Sequence, residues 1–195
     1  MVSVWGLVVN LDNAGPKGLP DFDADDVISH EVIEHAKATN YWTAARRIAL
    51  QVLYEVDSAR HPVGEVIDMH LSYHDLNPKA VKFLRKLVLG VLESHERLDR
   101  VIQHFAPEWP LSQVAIIDRN ILRLAIYEFA IAERTPVKVA IDEAVQLARL
   151  FGAEGSPRFV NGVLGALVDD PTTLHQMLGA DDEGASEKTG EESES

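Results

Sequence analysis

Between Thr43 and Val168 the apolar residues recur at intervals of three and four, and nowhere in that stretch do they alternate as a half-buried strand requires. The pattern predicts helices throughout. Asn77-Pro78, Thr135-Pro136 and Ser156-Pro157 each pair a side chain able to accept from orphan amides with a ring tolerated at the first helical position, so each marks a helix start. The elements that follow are Thr43 to Asp57, Val63 to Tyr73, a long helix from Asn77 to Phe105 with a bend near Gly90, Ser112 to Ala132, Pro136 to Phe151, and Pro157 to Val168. Pro107 and Pro110 interrupt between the third and fourth. This is an all-α chain, a compact bundle of about six or seven helices with short links.

The flanks read differently. Residues 1–40 form an acidic extension in which Gly15, Pro16, Gly18 and Pro20 break regular structure before a short helix from Asp25 to Ala38. Residues 41–170 make the helical domain. Residues 171–195 read as a short helix followed by a disordered acidic tail, because hardly an apolar side chain follows Leu178 to offset the ordering entropy.

Charge placement changes what the composition implies. The chain of 195 residues carries a net charge of −13, which by itself argues against binding nucleic acid. Seven acids against Lys17 and Lys37 give residues 1–40 a balance of −5, and seven against Lys188 give residues 179–195 a balance of −6. The middle keeps only −2, so its basic residues are free to gather into a patch. There is no cysteine, which excludes disulfides, thiolate metal sites and thiol nucleophiles and suits a reducing cytoplasm. No apolar run reaches the roughly 18 residues of a membrane span. The apolar start lacks a basic leader and a small-residue cleavage site, which argues against a signal peptide.

Two clusters could carry function. In the first helix Arg47, Gln51 and Tyr54 fall at spacings of four and three and share a face, with Arg46 beside them. A cation, an amide and a ring together suit single-stranded RNA; the alternative is a surface arginine pair above a core tyrosine. The second cluster is Ser156, Arg158, Phe159 and Asn161, at a helix start whose free amides and dipole favour an anion such as phosphate. Phe159 either stacks a base or packs in the core. The Asn161-Gly162 pair weakens a helix interior, which points either to close backbone approach or to a contact outside the fold.

Other candidates are weaker. Asp142 and Glu143 point about 100° apart on a helix and cannot flank one bond, so ion pairs across the bundle, for example with Arg123, are the expected use. His70 and His74 have zinc spacing but no second pair of ligands nearby. No phosphate loop, serine elbow or dinucleotide fingerprint occurs. No catalytic residue, cofactor or metal is expected.

The sequence also resembles the NusB family of bacterial transcription antitermination proteins, over about Thr43 to Asp169. The resemblance rests on Ala45-Arg46-Arg47-Ile48-Ala49-Leu50-Gln51-Val52-Leu53-Tyr54, on Gly90-Val91 and Leu98-Asp99, and on Ile121-Leu122-Arg123-Leu124-Ala125 with Tyr127-Glu128. Pro136, Val139-Ala140-Ile141-Asp142-Glu143-Ala144-Val145 and Phe159-Val160-Asn161-Gly162-Val163-Leu164 complete it. It implies a non-enzymatic factor that holds the boxA segment of nascent ribosomal RNA jointly with the small-subunit ribosomal protein called NusE, within a transcription complex. By similarity Arg46, Gln51, Tyr54, Ser156, Arg158 and Phe159 would contact RNA, and Asp118 would face the protein partner. Arg47 joins them from its helical position alone. A homodimer is left open.

The first helix carries fewer basic residues than the family pattern, and both acidic extensions lie outside that pattern. Two other readings remain at this point. One is a helical protein-interaction module without RNA. The other is a stand-alone relative of the N-terminal domain of ribosomal RNA cytosine methyltransferases, against which stand the missing cofactor loop and cysteine.

Overall fold

The computed structural model describes the backbone of residues 30–184 and the side chains of residues 41–179. The expectations for the leading extension before His30 and for the end of the acidic tail lie outside the described residues. The chain divides into two units between Ala36 and Lys37, and apart from the first turns of α1 everything below concerns the second.

Helix α1 spans His30–Ala59. It runs unbroken where the sequence suggested one helix ending at Ala38 and another starting at Thr43. Its inner face, Ala45, Ile48, Ala49, Val52 and Leu53, is almost wholly buried. Arg60, in the left-handed region at φ 56, ends it before Pro62. Helix α2 (Val63–Ser72) follows, then α3 (Pro78–Glu93), which Asn77 caps by accepting from the amide of Ala80 at 2.8 Å.

The long helix expected from Asn77 to Phe105 is two. Helix α3 stops at Ser94, which is buried and non-helical (φ −97, ψ 7), and α4 runs His95–Phe105. Gly90 has a reason other than bending. A methyl group there would lie 2.0 Å from the phenol end of Tyr127, so the glycine makes room for that side chain against α3.

The segment expected as one helix from Ser112 to Ala132 begins instead with turns. Helix α5 (Ile116–Ile126) is buried on nearly every side and then loosens into a π-turn over Tyr127–Ile131, closed by the amide of Ala132 on the carbonyl of Tyr127 at 2.8 Å. Helices α6 (Val137–Phe151), α7 (Ser156–Asp169) and α8 (Pro171–Gly184) complete an all-helical set. Among the described residues there is no strand. Helix α5 is the central post, packed by α3, α4, α6 and α7.

Buried charge fastens α1 at two levels. Midway along it Arg46 pairs with Glu128 of the π-turn; near its end Asp57 accepts from Arg123 at 2.8 Å and from Asn120 at 3.1 Å. Arg123 also donates twice to Asp99 of α4 at 2.7 Å, tying three helices together. The order of partners makes α1 antiparallel to α5.

Candidate nucleic-acid interface

The two clusters singled out in the sequence are built very differently. At the α1 cluster, Arg46 is only 7% exposed. Its Nε donates to Glu128 Oε2 at 2.9 Å, a second nitrogen closes on the other oxygen, and Nη1 lies 3.8 Å from Glu143 Oε2. The guanidinium sits 5.2 Å above the ring of Phe83, and Thr135 donates its hydroxyl to Glu128 from the other side. Thr135 therefore locks the acceptor of Arg46 and does not cap α6, whose N-cap is Pro136.

Arg46, expected to contact RNA, is thus placed inside the bundle, its guanidinium wrapped and neutralised by two carboxylates and a ring. Arg47, Gln51 and Tyr54 are half-buried, each with part of its side chain outside.

At the α7 cluster, Ser156 is 3% exposed and belongs to the interior. Its Oγ accepts from the amide of Ala153 at 2.9 Å and donates to Asp118 Oδ2 at 2.8 Å. The hydroxyl expected to greet an anion bridges α7 to α5. Its partner Asp118, expected to face a protein partner, is 8% exposed and likewise turned inward. Its second oxygen is buried with no hydrogen bond. Burial pushes this carboxyl up from the usual aspartate range, and the hydrogen bond from Ser156 only partly offsets that.

Arg158 and Asn161 do point outward. Both are exposed and stand one turn apart along an open groove between α6 and α7, about 520 Å³ in volume, whose far wall is Asp142, Gln146 and Arg149. The choice left open for the Asn161-Gly162 pair is now decided against close backbone approach. A methyl group at Gly162 would meet nothing within 4 Å.

Phe159 is half-buried, packed on the core with its ring 5.8 Å from that of Trp109 at 64°. Trp109 is 56% exposed and was not among the residues picked from sequence. Its signal was an aromatic caught between Pro107 and Pro110. Gln103 of α4 holds the loop in place, donating to the carbonyls of Ala106 and Trp109 at 3.4 Å and accepting from the amide of Leu111 at 2.9 Å. The indole is thus presented by pinned backbone.

Helix α6 stands between the clusters. Glu143 turns to α1, where Thr43 donates to it at 2.8 Å, while Asp142 faces the groove. The ion pair suggested between this acidic pair and Arg123 is not formed, since Arg123 is engaged by Asp57 and Asp99.

His70 lies 3.4 Å from Glu55, and His74 has its pKa lowered by burial first and by His70 second. Among the described residues no three metal-ligating side chains gather.

A model described as the NusB family matches residues 43–169. The transcription antitermination protein NusB of Roseiflexus castenholzii is 47% identical over 125 residues, 63% of this chain and 88% of that one. The protein of the same name from Chloroflexus aggregans is 44% identical over 125 residues, 63% of this chain and 83% of its own. Among solved structures, T. maritima NusB matches with a TM-score of 0.61 at 28% identity, covering 66% of this chain and 91% of that one. A chain from a solved complex of the antitermination factors NusB and NusE with double-stranded RNA matches with a TM-score of 0.60 at 25% identity, covering 70% of this chain and 97% of its own.

Proposed function

This chain belongs to the NusB family, and on that footing we propose that it is a transcription antitermination factor, not an enzyme, which holds boxA-type ribosomal leader RNA together with the ribosomal protein acting as NusE. The observation that carries the RNA contact is the outward pair Arg158 and Asn161 on an open groove, on the same helix as Phe159, whose ring meets the exposed Trp109. Arg158 supplies charge for a phosphate, Asn161 an amide for a base edge, and the two rings a surface on which a base can lie. The solved complex holds double-stranded RNA. The exposed indole of Trp109 favours unpaired bases here, because stacking needs an open base face.

Arg47, Gln51 and Tyr54 contribute what remains exposed on α1, while Arg46, Ser156 and Asp118 position the helices that carry the contacts. Val139 and Leu150, apolar and exposed on α6, support a protein partner on the outward face in place of Asp118. No helix among the described residues is long and apolar enough to cross a membrane. The reading places the work in the cytoplasm, where the leader RNA is made.

Fluorescence anisotropy with labelled boxA-type RNA, with and without the ribosomal partner, tests this. Binding that tightens when the partner is added is expected. A chain that binds the partner yet never engages RNA would be a protein-interaction module instead.

A further inference from the structure

On α3, Lys79, Lys82 and Lys86 recur at spacings of three and four and are all exposed, so they form one cationic stripe. Among the described residues none of the three has an ion pair. The neighbouring Arg85 differs, being matched by Asp68 at 2.6 Å.

The stripe does not serve the fold. Like charges at these spacings repel each other on a helix surface. Lys79 lies in the first turn, where the helix dipole disfavours a cation and where no acidic residue is present to compensate. In a chain with net charge −13 carboxylates are abundant, yet the one carboxylate of α3, Glu93, falls on this face only two turns beyond Lys86 and makes no ion pair with the lysines.

Its position is also informative. Phe83, adjacent to Lys82 and one turn before Lys86, packs edge-on against Trp42 of α1 at 5.0 Å and lies beneath the Arg46 guanidinium. The stripe therefore lies on the helix whose Phe83 meets the turns of α1 that carry Trp42 and Arg46. From Lys79 to Lys86 the helix rises about 10 Å, long enough to meet two or three successive phosphates of a single strand. Lysine ammonium groups act there as point charges and read no bases.

We propose that Lys79, Lys82 and Lys86 form a second RNA contact, a strip that tracks the phosphate backbone without regard to sequence. This rests on the RNA-binding reading above. The base-selective contacts belong to the α7 groove, and the α3 strip adds affinity that is sensitive to salt.

The test uses the full chain with its ribosomal partner, titrating boxA-type and scrambled RNA across a salt series. The wild-type arm stands alone: failure to bind boxA-type RNA would sink the RNA reading itself, and this strip with it. Given binding, replacing all three lysines by Gln is expected to lower the slope of log affinity against log salt by about 2, at about 0.7 per phosphate released. At about 0.1 M salt, where charges beyond roughly 10 Å are screened, affinity for both RNAs should fall by the same factor, about a hundred-fold. The triple Lys→Arg variant should keep the wild-type slope. Thermal melting of the Gln variant should be no lower than wild type, because repulsion has been removed. An unchanged slope, a loss confined to boxA-type RNA, or a loss of ribosomal-protein binding with RNA affinity intact would each overturn the strip.

Discussion

Arg46 and Arg158 stand on α1 and α7, the two helices that the sequence suggested would share one RNA surface, and the fold uses them in opposite ways. Arg46 is enclosed by Glu128, Glu143 and Phe83; Arg158 is exposed and has no ion pair among the described residues. The difference teaches that an arginine's task is set by the carboxylates that tertiary packing brings within reach. Where a carboxylate is supplied from 82 residues away, the charge becomes a strut. Where none is supplied, it is left for a ligand.

The comparison breaks most visibly at the strut. Arg46→Ala leaves Glu128 buried and uncompensated, and should cost about 3–5 kcal/mol of stability in a urea titration. A variant as stable as wild type that has lost RNA binding would put Arg46 back on the RNA surface.

Next comes the aromatic pair. Phe159→Ala should weaken RNA binding by about 1–3 kcal/mol if a base stacks there, and will also loosen packing. Trp109→Ala separates the two roles, because its ring is mostly outside: anisotropy should register weaker RNA binding while the urea midpoint holds. If both variants merely melt, the pair is core.

Gly162→Ala bears on the outward side of α7. With open space around it, the added methyl should raise stability by about 1 kcal/mol, read from the urea midpoint. Reduced RNA affinity in that more stable protein would show that RNA needs the bare backbone there.

Smaller again is Arg158→Ala, which should leave the fold intact and lower RNA affinity a few-fold. Its salt slope should drop by about 0.7, and an unaltered slope would place Arg158 off the phosphate path.

The smallest effect belongs to Asp118. Its carboxyl is raised by burial, so the folded protein keeps a proton at pH values where the unfolded chain has lost it. Stability from this group is full in acid and is lost as pH climbs from the ordinary aspartate range, near 4, through the raised folded value. Asp118→Asn should flatten that decline in urea midpoints measured from about pH 4 to 7. An identical decline would mean that the group titrates normally.

The helices were legible because their apolar spacing is local information, and Asn77 caps α3 as its side chain suggests. Breaks were less so. The sequence marks Gly90 but cannot say that Tyr127, 37 positions later, lies against it, and the stop at Ser94 follows from the packed arrangement of α3 and α4. Of the site residues, Arg158 and Asn161 stand outside as a helix start with polar side chains suggested. Ser156 and Asp118 do not, because each found its partner in the other across 38 residues. Trp109 went unnoticed since its value comes from lying beside Phe159, a neighbour in space only.

By itself, then, the order of residues determined an all-helical chain with acid concentrated at both ends, and it supplied the blocks by which the family is recognised. Those properties depend on spacing and on composition, which act along the chain. Only the tertiary structure decided which charges are sealed in and which are offered outward, because burial and pairing depend on groups that folding brings together from distant positions.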